Sequence, residues 1–200
     1  MIRAFLAMTA VALLTSCAAP LPAVTWLRLP VLPPDGILTS GAMPVAARQE
    51  VWQLMAPVVL PGHLDHDALL VPHDGGGTLR AQTSLRWAEP LRDVVPRLLR
   101  TDLARMFGAE VWSGTLPPGV APTRHLRVEL LAFDVLAQRR GVAVHAQFSI
   151  ADADGRRAPR TGQAAFEVVA ADTSPDALVD AHRAALARLA VQIAAVAAGG

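Results

Sequence analysis

The chain has 200 residues and a formal charge of +1, enough for one domain with its own core and too evenly balanced to call for nucleic acid or an acidic partner. All 18 basic residues are Arg, with no Lys, Tyr or Asn, a bias that follows GC-rich codons rather than a function. Apolar residues make up 52%, inflated by Ala and by the first stretch of the chain, and the single Cys excludes an intramolecular disulfide or a Cys-based metal cluster.

That cysteine stands at the end of a leader. Arg3 supplies a positive start, residues 4–14 are apolar and uncharged, and Leu14-Thr15-Ser16-Cys17 closes the stretch. The apolar run is too short for a permanent span, which needs about 20 residues. An ordinary secretion signal with a chance cysteine is the competing reading, but Cys17 occupies the one productive place. The pattern resembles the bacterial lipobox, and the resemblance implies lipidation of the Cys17 sulfur, cleavage before it and N-acylation. Several acyl chains, at roughly 0.8 kcal/mol per buried CH₂, anchor a protein stably. Ala18 rather than Asp after the anchor implies the outer membrane. The expected division is therefore 1–16 as cleaved signal, 17–22 as lipidated tether and 23–200 as a single periplasmic domain.

Residues 23–29 (A-V-T-W-L-R-L) have the β-branched and aromatic content of a first strand, and 30–44, with four prolines and two glycines, read as a loop. A second strand is predicted over 51–60, with Pro57 marking an edge or a bulge. Residues 64–71 form a short element of open type, 74–77 a turn and 78–85 a further short strand. From 88 to 107 the period changes. Leu91, Val94, Val95, Leu98, Leu99, Leu103, Met106 and Phe107 make one apolar stripe, and Gly108 stops it. Pro96 implies a start near Asp93 or a kink, because its ring removes one backbone bond and crowds the preceding turn.

The second half is patterned at period two. Residues 124–136 place Leu126, Val128, Leu130 and Ala132 on one face. In 142–150, Val142, Val144, Ala146, Phe148 and Ile150 alternate with Ala143, His145, Gln147 and Ser149. In 161–169, Ala164, Phe166 and Val168 point inward. Turns at 138–141 and 152–155 make this a meander with one wet face. A closing helix follows, capped by Thr173 or Ser174, with Pro175 in its first turn, Asp176 suiting its dipole and Leu178, Val179, Leu186, Leu189, Ile193 and Val196 buried. Asp180, His182, Arg183 and Arg188 interrupt it too often for a membrane span. The predicted fold class is α+β: an antiparallel sheet with a β-meander in the C-terminal half and two long helices packed on one face.

No residue set carries a recognised chemistry. His63, His66 and His73, with Asp65 and Asp67, have metal-like residue types, but H-L-D-H-D matches no zinc motif, and a solvated loop is the plainer reading. Asp74-Gly75-Gly76-Gly77-Thr78 lacks the Lys-Ser/Thr ending of a phosphate loop. Hydrolase signatures are missing, and Asp152 and Asp154 resemble part of a calcium loop without its later Glu. Arg139-Arg140 and Arg156-Arg157 lie at hairpin turns, placed to meet lipid phosphate or simply solvated. No catalytic residue, cofactor or resident metal is predicted; the one site residue is Cys17.

One resemblance organises these readings. Pro57-Val58-Val59-Leu60-Pro61-Gly62-His63-Leu64-Asp65, followed by Leu85-Arg86-Trp87-Ala88-Glu89-Pro90-Leu91, resembles the PqiC-type family of ABC-transporter auxiliary lipoproteins. Ala132-Phe133-Asp134, Asp152-Ala153-Asp154-Gly155 and the closing Ala/Leu helix continue it, so it covers nearly the whole mature chain. His63 stands where the family usually has Tyr, and His66-Asp67 where it has Arg-Pro. The resemblance implies a non-enzymatic part in lipid or hydrophobic-molecule traffic, as a homo-oligomeric outer-membrane piece. Its implied partner is a periplasmic protein of mammalian-cell-entry (MCE) domains linked to an inner-membrane ABC permease and ATPase. A structural or assembly lipoprotein is the alternative, and a metal-dependent enzyme resting on His63 to His73 a third reading.

Overall fold

In the computed structural model, residues 23–34, 36–38, 50–73 and 77–199 are described. The expected signal, tether and Cys17 lie outside them. Strands β1 (Thr25–Leu27), β2 (Val51–Leu54), β3 (Ala68–His73) and β4 (Thr78–Trp87) precede helix α1 (Leu91–Phe107). Then come β5 (Glu110–Ser113), β6 (Arg124–Val135), β7 (Gly141–Asp152), β8 (Arg160–Val169) and helix α2 (Pro175–Ala198), with 3-10 turns at Gly62–Leu64 and Ala137–Arg139.

The alternating pattern of the second half builds the larger of two sheets. β6, β7 and β8 pair antiparallel, and Val142, Val144, Ala146, Phe148 and Ile150 are all buried, as their period demands. Ala164 is buried beside them, with Phe166 and Val168 half-buried on the same face. On β6 the expected face holds only as far as Leu130. The register against β7 shifts between Leu130 and Ala132, and beyond that irregularity Phe133 and Val135 are buried instead of Ala132. One extra residue reverses which side chains face the core.

The single antiparallel sheet expected from the sequence is corrected in two ways. β2 runs parallel to both β6 and β5, giving the order β5-β2-β6-β7-β8, and a separate sheet has the order β1-β4-β3 with β1 parallel to β4. Parallel neighbours need long crossovers, and the chain supplies one by passing through β3, β4 and α1 between β2 and β5. The predicted strand 51–60 is regular only to Leu54. Pro57 has no N–H to donate, yet the segment keeps its path beside β6, where Val59 pairs with Glu129. The open element at 64–71 resolves into a 3-10 turn and β3.

Both helices cover the inner face of the large sheet. α2 lies across β7 and β8, α1 packs on α2 and β5, and Phe107 at the end of α1 stacks on Trp52 of β2 at 4.2 Å between ring centroids. α1 begins at Leu91, not near Asp93, and carries Pro96 in its second turn. The bond this removes would have gone to the carbonyl of Arg92, an exposed residue. Gly108 ends α1 in the left-handed conformation, its N–H reaching the Ala104 carbonyl.

α2 is capped by Ser174, whose Oγ accepts from the Ala177 N–H at 3.2 Å, with Pro175 next in the chain. At its other end the Arg160 guanidinium of β8 donates to the carbonyls of Val196 and Ala197. Buried alanines at 181, 184, 185, 187, 190 and 194 let this helix approach closely, while Leu186, Leu189 and Ile193 are fully buried. Each of those three side chains contributes about 1.5–3 kcal/mol in transfer free energy.

Candidate functional site

The two segments that carried the family resemblance meet in space. The Trp87 N–H donates to the Asp67 carbonyl at 2.6 Å, the Arg86 guanidinium pairs with the Asp67 carboxylate at 2.7 Å, and Arg92 pairs with Asp65. The turn at 62–67 is thereby tied to the end of β4 and the first turn of α1. Asp65, His66 and Asp67 stay on the surface, while Trp87 is buried. Its place ahead of the helix start is architectural, as its type and position suggested.

Beneath that turn lies a nearly closed apolar compartment. His182 of α2 is completely buried, with Trp87 and Phe133 edge-on to its ring at 5.0 and 5.2 Å between centroids. Its Nδ1–H donates to the Leu178 carbonyl one helical turn back, at 2.8 Å. Burial lowers its pKa to about 4, against the opposing pull of the Leu178 carbonyl and the Asp134 charge, so the ring is neutral at neutral pH. Asp134 in turn meets His63 Nε2 at 2.5 Å. The cavity between these groups is about 20 Å³, room for roughly one water and no larger ligand.

The members of the His/Asp cluster lie on the 62–67 turn and on β3 and take separate partners. His63 is taken by Asp134, Asp65 by Arg92, Asp67 by Arg86, and His73 meets Arg80 at 3.2 Å. Among the described residues no three His, Cys, Asp or Glu converge as a metal would need. Asp152 and Asp154 serve the β7–β8 hairpin: Asp152 holds Arg124 and Arg157, and Asp154 accepts the Arg156 N–H. The Arg139-Arg140 and Arg156-Arg157 pairs stand at opposite ends of β7. Residues 74–76 of the glycine run lie outside the described residues, and Thr78 after it hydrogen-bonds the His73 carbonyl across the β3–β4 turn.

The strongest polar feature is one the sequence reading passed over. Arg183 of α2 and Asp102 of α1 are both 0% exposed and form a bidentate pair, with Nη1 and Nη2 of the guanidinium each 2.6 Å from a carboxylate oxygen. The same guanidinium donates to the carbonyls of Pro30 (Nε, 2.9 Å) and Val31 (Nη2, 2.8 Å). One buried cation therefore joins both helices to the chain that follows β1. The signal was present. Arg183 sits four residues after Val179 and three before Leu186, and Asp102 four after Leu98 and four before Met106, so each lies on an apolar stripe. Opposite charges on two apolar stripes point to each other.

Among the described residues, open surfaces lie on both sheets. The outer face of the meander holds a concavity of about 590 Å³ whose lining mixes polar side chains such as Arg127, Glu129, Gln147 and Gln163 with Phe148 and Gly162. Around β1, Val24, Trp26, Val31 and Leu32 are exposed apolar side chains. Among the described residues no helix is long and apolar enough to cross a membrane.

Comparison with known proteins supplies the context for this arrangement. A solved structure of an uncharacterized protein superposes with a TM-score of 0.66 at 14% identity, covering 86% of this chain and 97% of that one. Protein XCC0632 from Xanthomonas campestris, of the DUF330 family, gives 0.64 at 17% identity, covering 88% and 97%. At these identities the likeness is one of fold. No curated protein matches the chain. The family described as ABC-type transport auxiliary lipoprotein component matches residues 38–194, from before β2 almost to the end of α2. The chain thus belongs to the ABC-type transport auxiliary lipoprotein family, of which the DUF330 proteins are also members.

Proposed function

We propose that this protein is the outer-membrane lipoprotein subunit of an intermembrane transport system for lipid or another hydrophobic molecule. In this reading it docks a periplasmic MCE-domain protein, itself linked to an inner-membrane ABC permease and ATPase, and works as a homo-oligomer without catalysing a reaction. The observation that carries the reading is the family match across residues 38–194. The leader ending in Cys17 supports it, because a lipid anchor at that cysteine would hold the domain at a membrane surface.

The test is a mild-detergent pull-down of the tagged full chain from cells, with mass spectrometry of the proteins and lipids that accompany it. Recovery of an MCE-domain protein is the expected result. Recovery of an outer-membrane barrel or envelope factor alone would replace docking with the assembly role. Cys17→Ser checks the anchor separately: it should abolish incorporation of labelled palmitate and release the protein from the membrane fraction.

A further inference from the structure

Four of the eight large hydrophobic side chains exposed among the described residues fall between 24 and 32: Val24, Trp26, Val31 and Leu32. Trp26 is 59% exposed and Leu32 62%. Scattered single hydrophobics need no explanation, but half of them gathered in nine residues of chain do. From Trp26, on β1, to Leu29 just beyond it, exposure alternates, with Leu27 and Leu29 in the core and Trp26 and Arg28 outside. Trp26 lies directly across from Arg86, itself paired with Asp67, in the parallel register with β4, and the exposed Arg28 follows just beyond the end of β1.

This segment is also held rigidly. The carbonyls of Pro30 and Val31 are gripped by the buried Arg183, and the Ala88 N–H donates to the Leu27 carbonyl at 2.8 Å. Val24 is seven residues from Cys17, so the covalent chain keeps it within roughly 25 Å of the acylated residue. An exposed tryptophan with an exposed arginine beside it is the composition of a membrane–water interface: the ring sits at headgroup depth and the guanidinium meets phosphate.

From this we infer that Val24, Trp26, Val31 and Leu32 form a second membrane contact. The apolar side chains would enter the headgroup region beside the acyl anchor, Arg28 would face lipid phosphate, and the domain would have one fixed orientation on the bilayer. The inference rests on the lipid anchor proposed above. The concavity on the meander, on another sheet, then stays free for protein partners.

The experiment uses the full lipidated chain in vesicles of phosphatidylethanolamine and phosphatidylglycerol, with a fraction of the lipids brominated in the acyl chains. Flotation reports the anchor, and tryptophan quenching by bromine reports contact. Trp52 and Trp87 are buried, which leaves Trp26 and the half-buried Trp112 as candidates for quenching. The expected result is strong bromine quenching that Trp26→Phe largely abolishes and Trp112→Phe leaves in place. Flotation without Trp26 quenching overturns the contact while leaving the anchor intact. Failure to float overturns both. Protection of Trp26 from aqueous acrylamide without bromine quenching also overturns it, and assigns the patch to a second copy or a protein partner.

Discussion

Replacing Asp102 by Asn keeps the shape of the side chain and removes its charge, leaving the Arg183 guanidinium buried among neutral acceptors only, the amide oxygen and the carbonyls of Pro30 and Val31, with an NH2 group where the second carboxylate oxygen stood. Breaking one side of a buried ion pair costs about 3–5 kcal/mol, most of it from the uncompensated charge left behind. A domain of this size has about 5–15 kcal/mol in total, and its melting temperature moves about 2–4 °C per kcal/mol. The Asp102→Asn protein should therefore melt roughly 6–20 °C lower and lose a large share of its urea resistance at unchanged m-value. Removing both charges, as Asp102→Leu with Arg183→Met, should recover much of that loss because the desolvation penalty goes with them. A residue of about 1–2 kcal/mol should persist, because the Pro30 and Val31 carbonyls lose their donors. An Asp102→Asn protein within about 1 kcal/mol of the parent would refute the reasoning, since the guanidinium would then have been satisfied without the carboxylate.

Three further outcomes follow from the same packing. Because the folded pKa of His182 lies near 4, below the 6.5 of the unfolded ring, the unfolded chain binds more protons between these values. Stability is then full above pH 6.5 and falls as pH drops toward 4, by about 3 kcal/mol in all; His182→Leu should flatten that part of a urea-stability profile measured against pH. At Gly162, paired with Phe148 across β7 and β8, an added Cβ would sit 2.4 Å from the Phe148 ring. Gly162→Ala should lower stability by about 1–3 kcal/mol in a thermal melt, and by less when Phe148 is first shortened to Leu. Ser174→Ala removes the cap of α2 and should cost about 1 kcal/mol, with amide exchange at Ala177 accelerated.

How much of this was legible depended on how local each cause is. β7, β8 and both helices declare themselves because their periods are set by the chain's own geometry, and the burial of Val142 to Ile150 and the Ser174 cap follow directly. β5 has only Glu110 to Ser113, too short for an alternation to show. The irregularity near Leu131 leaves no mark in residue type, so the inward face of β6 was misassigned at Ala132. The place of β2 between β5 and β6 is a non-local fact that no window on the sequence contains. Of the candidate site, the sequence showed the segments around Asp65 and Arg86 but not that ion pairs join them. The buried pair was hidden differently: a charge on an apolar stripe reads as an interruption until its partner is found on another helix.

The clamp formed by Arg183 has a further consequence, for the order in which the molecule can be finished. The residues it holds, Pro30 and Val31, lie 153 and 152 positions earlier in the chain. β1 waits for β4, and β2 has neither of its neighbours until β5 and β6 exist. Contacts of such separation form slowly, because a long loop must close before any of them stabilises the chain. A polypeptide emerging from its amino end therefore carries β1 unpaired until β4 has followed and β2 unpaired until β5 has, and the guanidinium that seals the beginning of the fold arrives with the last helix.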